Sequence, residues 1–131
     1  MVEKLQLKNL EFFPLQPFDK FNQFLNSADI HLVIQKANAS DLVMPSKLTT
    51  ILAVGGVALI TANEGSSLHT LVQEHEMGLL VDAENQQALN EGIRAAIAND
   101  NTRIARNARA YAENNLSVTS IMNAFEHKAL A

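Results

Sequence analysis

The chain has 131 residues, of which 47% are hydrophobic and 18% are charged, and its formal net charge is −4. This length fits one globular domain, and the composition differs from that of disordered or fibrous proteins. The absence of cysteine excludes disulfides, thiolate metal sites and a cysteine nucleophile, and the excess of acidic over basic residues argues against broad nucleic-acid binding.

Four short apolar runs predict β-strands, at residues 10–15, 30–34, 57–61 and 78–81, of which the first is the least regular. Their apolar residues are continuous rather than alternating, which is typical of strands buried on both faces of a parallel sheet. We therefore predict a sheet of about four parallel strands.

Helical repeats of apolar residues lie between the strand candidates, after Pro17, after Ser46 and after Ser66. This alternation predicts an α/β fold with a Rossmann-like sheet and right-handed crossovers. After Val81 the pattern changes to three consecutive amphipathic helices, the last of which follows Ser117 as its predicted N-cap. The chain is thus expected to end as a three-helix segment.

The segment 35–45 is the longest stretch without periodicity in the sheet region, and it follows a predicted strand. Ligands of open parallel sheets bind beyond the carboxyl ends of the strands. Pro45 precedes a helix for which Ser46 is the predicted N-cap. Free backbone N–H groups, the helix dipole and the ammonium of Lys47 would together suit a phosphate or diphosphate. A serine at such a position is also an ordinary helix cap.

The turn 63–67, Asn-Glu-Gly-Ser-Ser, also joins a predicted strand to a helix. Its amides would suit a phosphate or sugar hydroxyls, although the turn lacks a nucleotide-loop motif and a simple turn is the alternative. His69 and His75 are six residues apart, on different faces of a helix, so we predict no metal site. No serine has an identifiable base, and catalytic residues stay unknown.

Five segments follow one another along the chain: LQPFDKFNQFLNSADIHLV, LVMPSKLTTILAVGG, VALITA, MGLLVD and ARNARAYAEN. In these segments and in their order, the chain resembles the carboxyl-terminal half of GT-B glycosyltransferases of family 4. The segments are most similar to the colanic-acid-type enzymes of bacterial exopolysaccharide synthesis. The resemblance covers nearly the whole chain from about Leu10.

This resemblance implies a donor-binding domain of a retaining enzyme, with a UDP- or GDP-sugar as donor substrate and no cofactor or metal. It places Pro45 at the donor pocket, and Ser46, Lys47 and Leu48 near the diphosphate. Gln16 and Pro17 fall where the base is held, and the loop facing the transferred sugar contains Glu64, Gly65 and Ser66.

The family's paired glutamates would align near Leu42 and Thr50, so neither is present here. The second glutamate normally holds the donor ribose. Asp41 is adjacent to the first position and is a candidate substitute. The resemblance also implies that the amino-terminal acceptor domain and the first βα unit of the donor domain lie outside this chain.

Residues 1–131 are therefore expected to form a single, incomplete nucleotide-sugar-binding domain without transferase activity alone. The alternative is a non-catalytic α/β module that acts as a homodimer or with a partner subunit, because an incomplete sheet leaves an unprotected edge. A receiver-like domain is disfavoured by its aspartate positions. With no apolar stretch of about 18 residues, we expect a cytoplasmic protein, at most peripheral to the inner membrane.

Overall fold

The computed structural model describes residues 2–39 and 44–130, and a three-stranded parallel sheet lies at its centre. The strands are β1 (His31–Val33), β2 (Ala58–Thr61) and β3 (Leu79–Val81), in the spatial order β1-β2-β3. Leu32 pairs with Leu59, and Ile60 pairs with Leu80. The predicted α/β class and three of the four predicted strands are confirmed.

The predicted strand at residues 10–15 is wrong. This segment has no regular secondary structure, and Leu15 and Phe12 are 96% and 80% exposed. A strand requires a neighbouring strand that pairs with its backbone groups, and an apolar run does not reveal whether such a neighbour exists. The sheet of the described residues therefore has three strands rather than four.

Helices precede the sheet, connect its strands and follow it. The helices are α1 (Val2–Leu5), α2 (Phe18–Asn26), α3 (Ser46–Ala53), α4 (Ser67–Glu74), α5 (Gln86–Ala98), α6 (Thr102–Asn115) and α7 (Val118–Ala129). Helices α5, α6 and α7 are the predicted carboxyl-terminal three-helix segment. The predicted cap of α7 is confirmed, because the Ser117 hydroxyl accepts a hydrogen bond from the backbone N–H of Ser120.

Neighbouring residues of β2 face opposite sides of the sheet, as strand geometry requires. Ile60 belongs to the main core, which α3, α4 and α6 build with Leu48, Ile51, Val72 and Ala108. Leu59 lies on the other side, against α5. Helices thus cover both faces of β2, and all four of its residues are buried.

Helix α6 packs on α3 through small side chains. Ala108 and Ala112 are buried at this contact. The guanidinium of Arg109 donates a hydrogen bond to the carbonyl oxygen of Ala53, at the end of α3. Helix α3 thus packs between α6 and the strands β1 and β2.

Helices α2 and α7 differ from the core helices, because neither contains a buried residue. No helix in residues 2–39 and 44–130 is long and apolar enough to cross a membrane.

Candidate functional site

Three loops meet at the carboxyl edge of the sheet, and hydrogen bonds join them. The backbone N–H of Gln35 donates to the buried hydroxyl of Thr61 at 2.6 Å, and that hydroxyl donates to the Gln35 carbonyl at 3.0 Å. The backbone N–H of Ala83 donates to Oδ1 of Asn63 at 3.0 Å. The loops after β1, β2 and β3 are therefore tied to one another at the edge where parallel sheets bind ligands.

Helix α3 begins at this edge, one residue earlier than an N-cap at Ser46 would require. Pro45 is the N-cap, with φ −59° and ψ 133°, and no side chain caps the helix. The carbonyl oxygen of Pro45 accepts the backbone N–H groups of Leu48 at 2.9 Å and Thr49 at 3.3 Å. The prediction of Ser46 as the N-cap is therefore wrong, because the helical hydrogen bonds already start at Pro45.

The first turn of α3 leaves two donors unused. Among the residues that the structure describes, nothing accepts a hydrogen bond from the backbone N–H groups of Ser46 and Lys47, as expected at a helix start. The N–H of Leu48 is engaged with Pro45, and the Leu48 side chain is fully buried. Of the three predicted diphosphate-binding residues, Ser46 and Lys47 thus offer free amides and Leu48 serves the core.

Lys47 places a cation beside these amides. Its Nζ donates a 2.6 Å hydrogen bond to the carbonyl oxygen of Leu32, in β1, and its side chain stays exposed. The hydroxyls of Thr49 and Thr50 donate to the carbonyl oxygen of Ser46 at 2.7 and 3.0 Å, so Thr50 is used within the helix. The structure brings Pro45, Ser46 and Lys47 together.

His31 lies beside this cluster, at a position for which the sequence alone indicated no role. It is 8% exposed, and its Nε2 is buried without a hydrogen-bond partner among the described residues. Burial and the charge of Lys47 lower the pKa of His31, and a backbone hydrogen bond involving Leu25 partly opposes them. The only signal in the sequence was a histidine within an apolar strand candidate.

The position of His31 also explains why residue 56 is a glycine. A Cβ at Gly56 would lie 2.9 Å from Nε2 of His31, which is closer than side chains tolerate. The His31 imidazole therefore packs closely against the backbone of Gly56, between α3 and β2.

The turn 63–67, which leads into α4, differs from the start of α3 in having a side-chain cap. Ser66 is the N-cap of α4, and its buried hydroxyl accepts the N–H of His69 at 3.2 Å. Gly65 has φ +84°, a left-handed conformation that suits glycine, and Glu64 is exposed. A groove of about 400 Å³ nearby is lined by His69 and Asp82 among others.

Gln16 and Pro17, the predicted base-binding positions, lie in the segment before α2. The amide of Gln16 donates to the carbonyl oxygen of Pro14 at 2.8 Å, within its own segment, and Pro17 precedes α2. Asp41 and Leu42 lie outside the described residues. No group of three or more histidine, aspartate or glutamate side chains in the described part of the chain could hold a metal ion.

Comparison with known proteins identifies a curated relative. Over 126 residues, which are 95% of this chain, the sequence is 40% identical to the Escherichia coli protein named "Putative colanic acid biosynthesis glycosyl transferase WcaI". The chain spans 30% of the length of that relative. No protein-family model and no solved structure matches the chain. The predicted resemblance to colanic-acid-type glycosyltransferases is confirmed.

Proposed function

We propose that this chain, which is related in sequence to a colanic acid biosynthesis glycosyl transferase, binds the nucleotide-sugar donor of a retaining enzyme of bacterial polysaccharide synthesis. The diphosphate of a UDP- or GDP-sugar would bind at the start of α3. The observation that carries this proposal is the cluster of two free amides and one ammonium at Ser46 and Lys47. Donor binding, rather than complete sugar transfer, is the activity proposed for these 131 residues.

The charges at the start of α3 favour an anion. The helix dipole contributes roughly half a positive elementary charge at this end. The first turn of α3 contains no acidic residue that would oppose a phosphate. The free N–H groups of Ser46 and Lys47 add two hydrogen-bond donors that point out of the helix. Amides, dipole and the Lys47 ammonium thus act in the same direction.

A comparison of α3 with α4 supports α3 as the phosphate site. At α4, the Ser66 hydroxyl accepts a hydrogen bond from the first-turn N–H of His69. One of the free backbone donors at the start of α4 therefore already has an acceptor. At α3, the N-cap is Pro45, whose side chain has no acceptor. Nothing from the N-cap side chain therefore competes with a phosphate oxygen for the first-turn amides.

When the nucleotide-sugar binds, the ammonium of Lys47 would exchange its hydrogen bond to the Leu32 carbonyl for one to a phosphate oxygen. A phosphate oxygen carries a formal charge, and hydrogen bonds between two charged groups are stronger than those to a neutral carbonyl. We propose that the ammonium leaves the Leu32 carbonyl for the diphosphate. In sugar transfer, the same cation and amides would stabilise the negative charge that develops on the leaving diphosphate.

The other positions implied by the resemblance complete the proposal. The base would lie near Gln16 and Pro17, and the transferred sugar near the turn that contains Glu64, Gly65 and Ser66. Thr50 stands where the family has a glutamate for the ribose, and its hydroxyl is bonded within α3. We therefore propose weak donor binding, in which the diphosphate contributes more than the ribose.

Titration of the ¹⁵N-labelled chain with UDP or GDP, followed by amide chemical shifts in NMR spectra, tests the proposal. The amide signals of Ser46 and Lys47 should move, and those of α7 should not. Uridine and guanosine are the matched controls, because they contain the base and ribose but no phosphate. Unmoved Ser46 and Lys47 amides at millimolar UDP and GDP would overturn the proposal.

A further inference from the structure

The chain exposes more surface than a monomeric protein of its mass. Its accessible surface is 9549 Å², whereas the scaling for folded monomers gives about 6,800 Å² at 14.3 kDa. The excess is about 2,700 Å² for each copy of the chain. An excess of this size is comparable with the area that stable protein interfaces cover.

Part of this excess belongs to an apolar surface on the amino-terminal side, which we name the aromatic surface. It consists of the exposed side chains of Leu10, Phe12, Phe13, Leu15 and Phe18. Phe13 is packed edge-on against Phe24 of α2, with 6.1 Å between ring centroids. This ring contact joins the segment to α2 while Leu15 and Phe18 stay more than nine-tenths exposed.

A second uncovered area lies on the last helix, and we name it the α7 surface. It consists of the exposed side chains of Val118, Ile121, Met122 and Phe125, whose spacing places them on one face of the helix. The hydroxyl of Ser120 donates to the carbonyl oxygen of Glu113 in α6 at 2.9 Å. This hydrogen bond ties the start of α7 to α6, while the four apolar side chains of the α7 surface stay about half or more exposed.

We propose that two copies of the chain form a symmetric dimer, in which the aromatic surface of each copy covers the α7 surface of the other. In a dimer with a two-fold axis, the contact of the aromatic surface with the partner's α7 surface occurs twice. A second copy of the chain therefore covers both surfaces. The excess on two copies, of which these surfaces form a part, is large enough to include the roughly 2,000 to 5,000 Å² that obligate dimers bury. Neither surface includes Ser46 or Lys47, the proposed diphosphate site, whereas the aromatic surface adjoins Gln16 and Pro17, where the base is proposed to lie.

The molar mass in solution, measured by size-exclusion chromatography with light scattering, gives the first test. The intact chain should have twice the monomer mass of 14.3 kDa. Phe12→Ser combined with Leu15→Ser, and separately Ile121→Ser combined with Phe125→Ser, should each raise the dimer dissociation constant at least tenfold. These side chains are exposed in the single chain, so the circular dichroism spectrum should stay unchanged.

Ile97→Ser is the matched control. Ile97 is also a large apolar side chain and is 73% exposed, but it lies on α5, outside both surfaces. Its replacement should leave the dimer intact. A monomeric intact chain, aggregates without a defined mass, or equal dissociation by the Ile97→Ser control would overturn the proposal.

Crosslinking tests which surfaces meet, because the natural chain has no cysteine. The Leu15→Cys and Ile121→Cys variants are mixed and treated with a short bismaleimide reagent. The reciprocal arrangement predicts crosslinks mainly between the two different variants. Crosslinks mainly within either variant alone would overturn this arrangement.

Discussion

The Nζ of Lys47 lies 2.6 Å from the carbonyl oxygen of Leu32, so a side chain at the start of α3 is anchored on β1. The anchor places the ammonium over the carboxyl end of the strand while it stays open to solvent. A phosphate bound at the start of α3 would therefore find the ammonium already nearby, and the ammonium would move from the Leu32 carbonyl to the phosphate. A side chain held near the site loses less conformational entropy on binding than a freely moving one.

Replacement of Lys47 by alanine should weaken binding of UDP or GDP about tenfold, which corresponds to about 1.4 kcal/mol. The loss follows from the removal of one charged hydrogen-bond donor. Dissociation constants from NMR titration measure it. Lys8→Ala is the control with the same change in net charge, since Lys8 is exposed and outside the proposed site. Equal weakening by both variants would contradict a specific role for Lys47.

Ser66→Ala should lower the free energy of unfolding by about 1 kcal/mol, because it removes the side-chain cap of α4. Ser46→Ala should change the free energy of unfolding little, because Ser46 is exposed and does not cap α3. Urea unfolding of the two variants measures the contrast. An equal loss in Ser46→Ala would show that its hydroxyl supports the helix after all.

Gly92→Ala should destabilise the fold by about 1–3 kcal/mol, although alanine is the better helix former. A Cβ at this position would lie only 2.5 Å from Cγ1 of Val81 in β3. Thermal unfolding measures the effect. Val81→Ala removes the clashing methyl group, so it should cost less in the Gly92→Ala background than in the natural chain. Additive losses would contradict the contact.

The stability of the fold should decrease as the pH falls below about 6.5, the ordinary pKa of histidine. Because the pKa of His31 is lowered in the folded chain, the unfolded chain binds more protons in this range. Stability is therefore greatest above that pH and decreases as the pH falls toward the folded pKa. Urea unfolding between about pH 8 and 5 measures the slope.

His31→Phe should reduce this slope, and His127→Gln, at an exposed position of α7, is the matched histidine replacement. The pKa of Asp100 is lowered by hydrogen bonds from the Thr102 hydroxyl and backbone N–H. Its contribution is present above about pH 4 and is lost below it, outside the range of the measurement. An unchanged slope in His31→Phe would assign the pH dependence to another group.

The apolar runs around β1, β2 and β3 predicted real strands, and β2, all of whose residues are buried, matches the pattern of a strand covered on both faces. The run at residues 10–15 looked similar, yet strand formation depends on a neighbour that local composition does not encode. The prediction of Ser46 as the N-cap was wrong because the start of α3 is set by the backbone conformation at Pro45, which a preference for serine at helix starts does not reveal.

The arrangement of the site was less predictable than its location. The position of Ser46 and Lys47 after a strand was visible as a pattern. The bonds between Gln35 and Thr61 join residues 26 positions apart, and no periodicity reveals such a pair. The contact of Lys47 with Leu32 likewise depends on the side-chain conformation in the folded chain.

Both outer strands of the sheet are short, since β1 and β3 have three residues each. A short outer strand offers few unpaired backbone groups to a foreign strand, which limits the growth of extended intermolecular sheets. The exposed aromatic and aliphatic side chains can therefore associate with a lower risk of fibre-like aggregation through the sheet edges. In this architecture, the surfaces that favour association through side chains are not the sheet edges that could pair with a foreign strand.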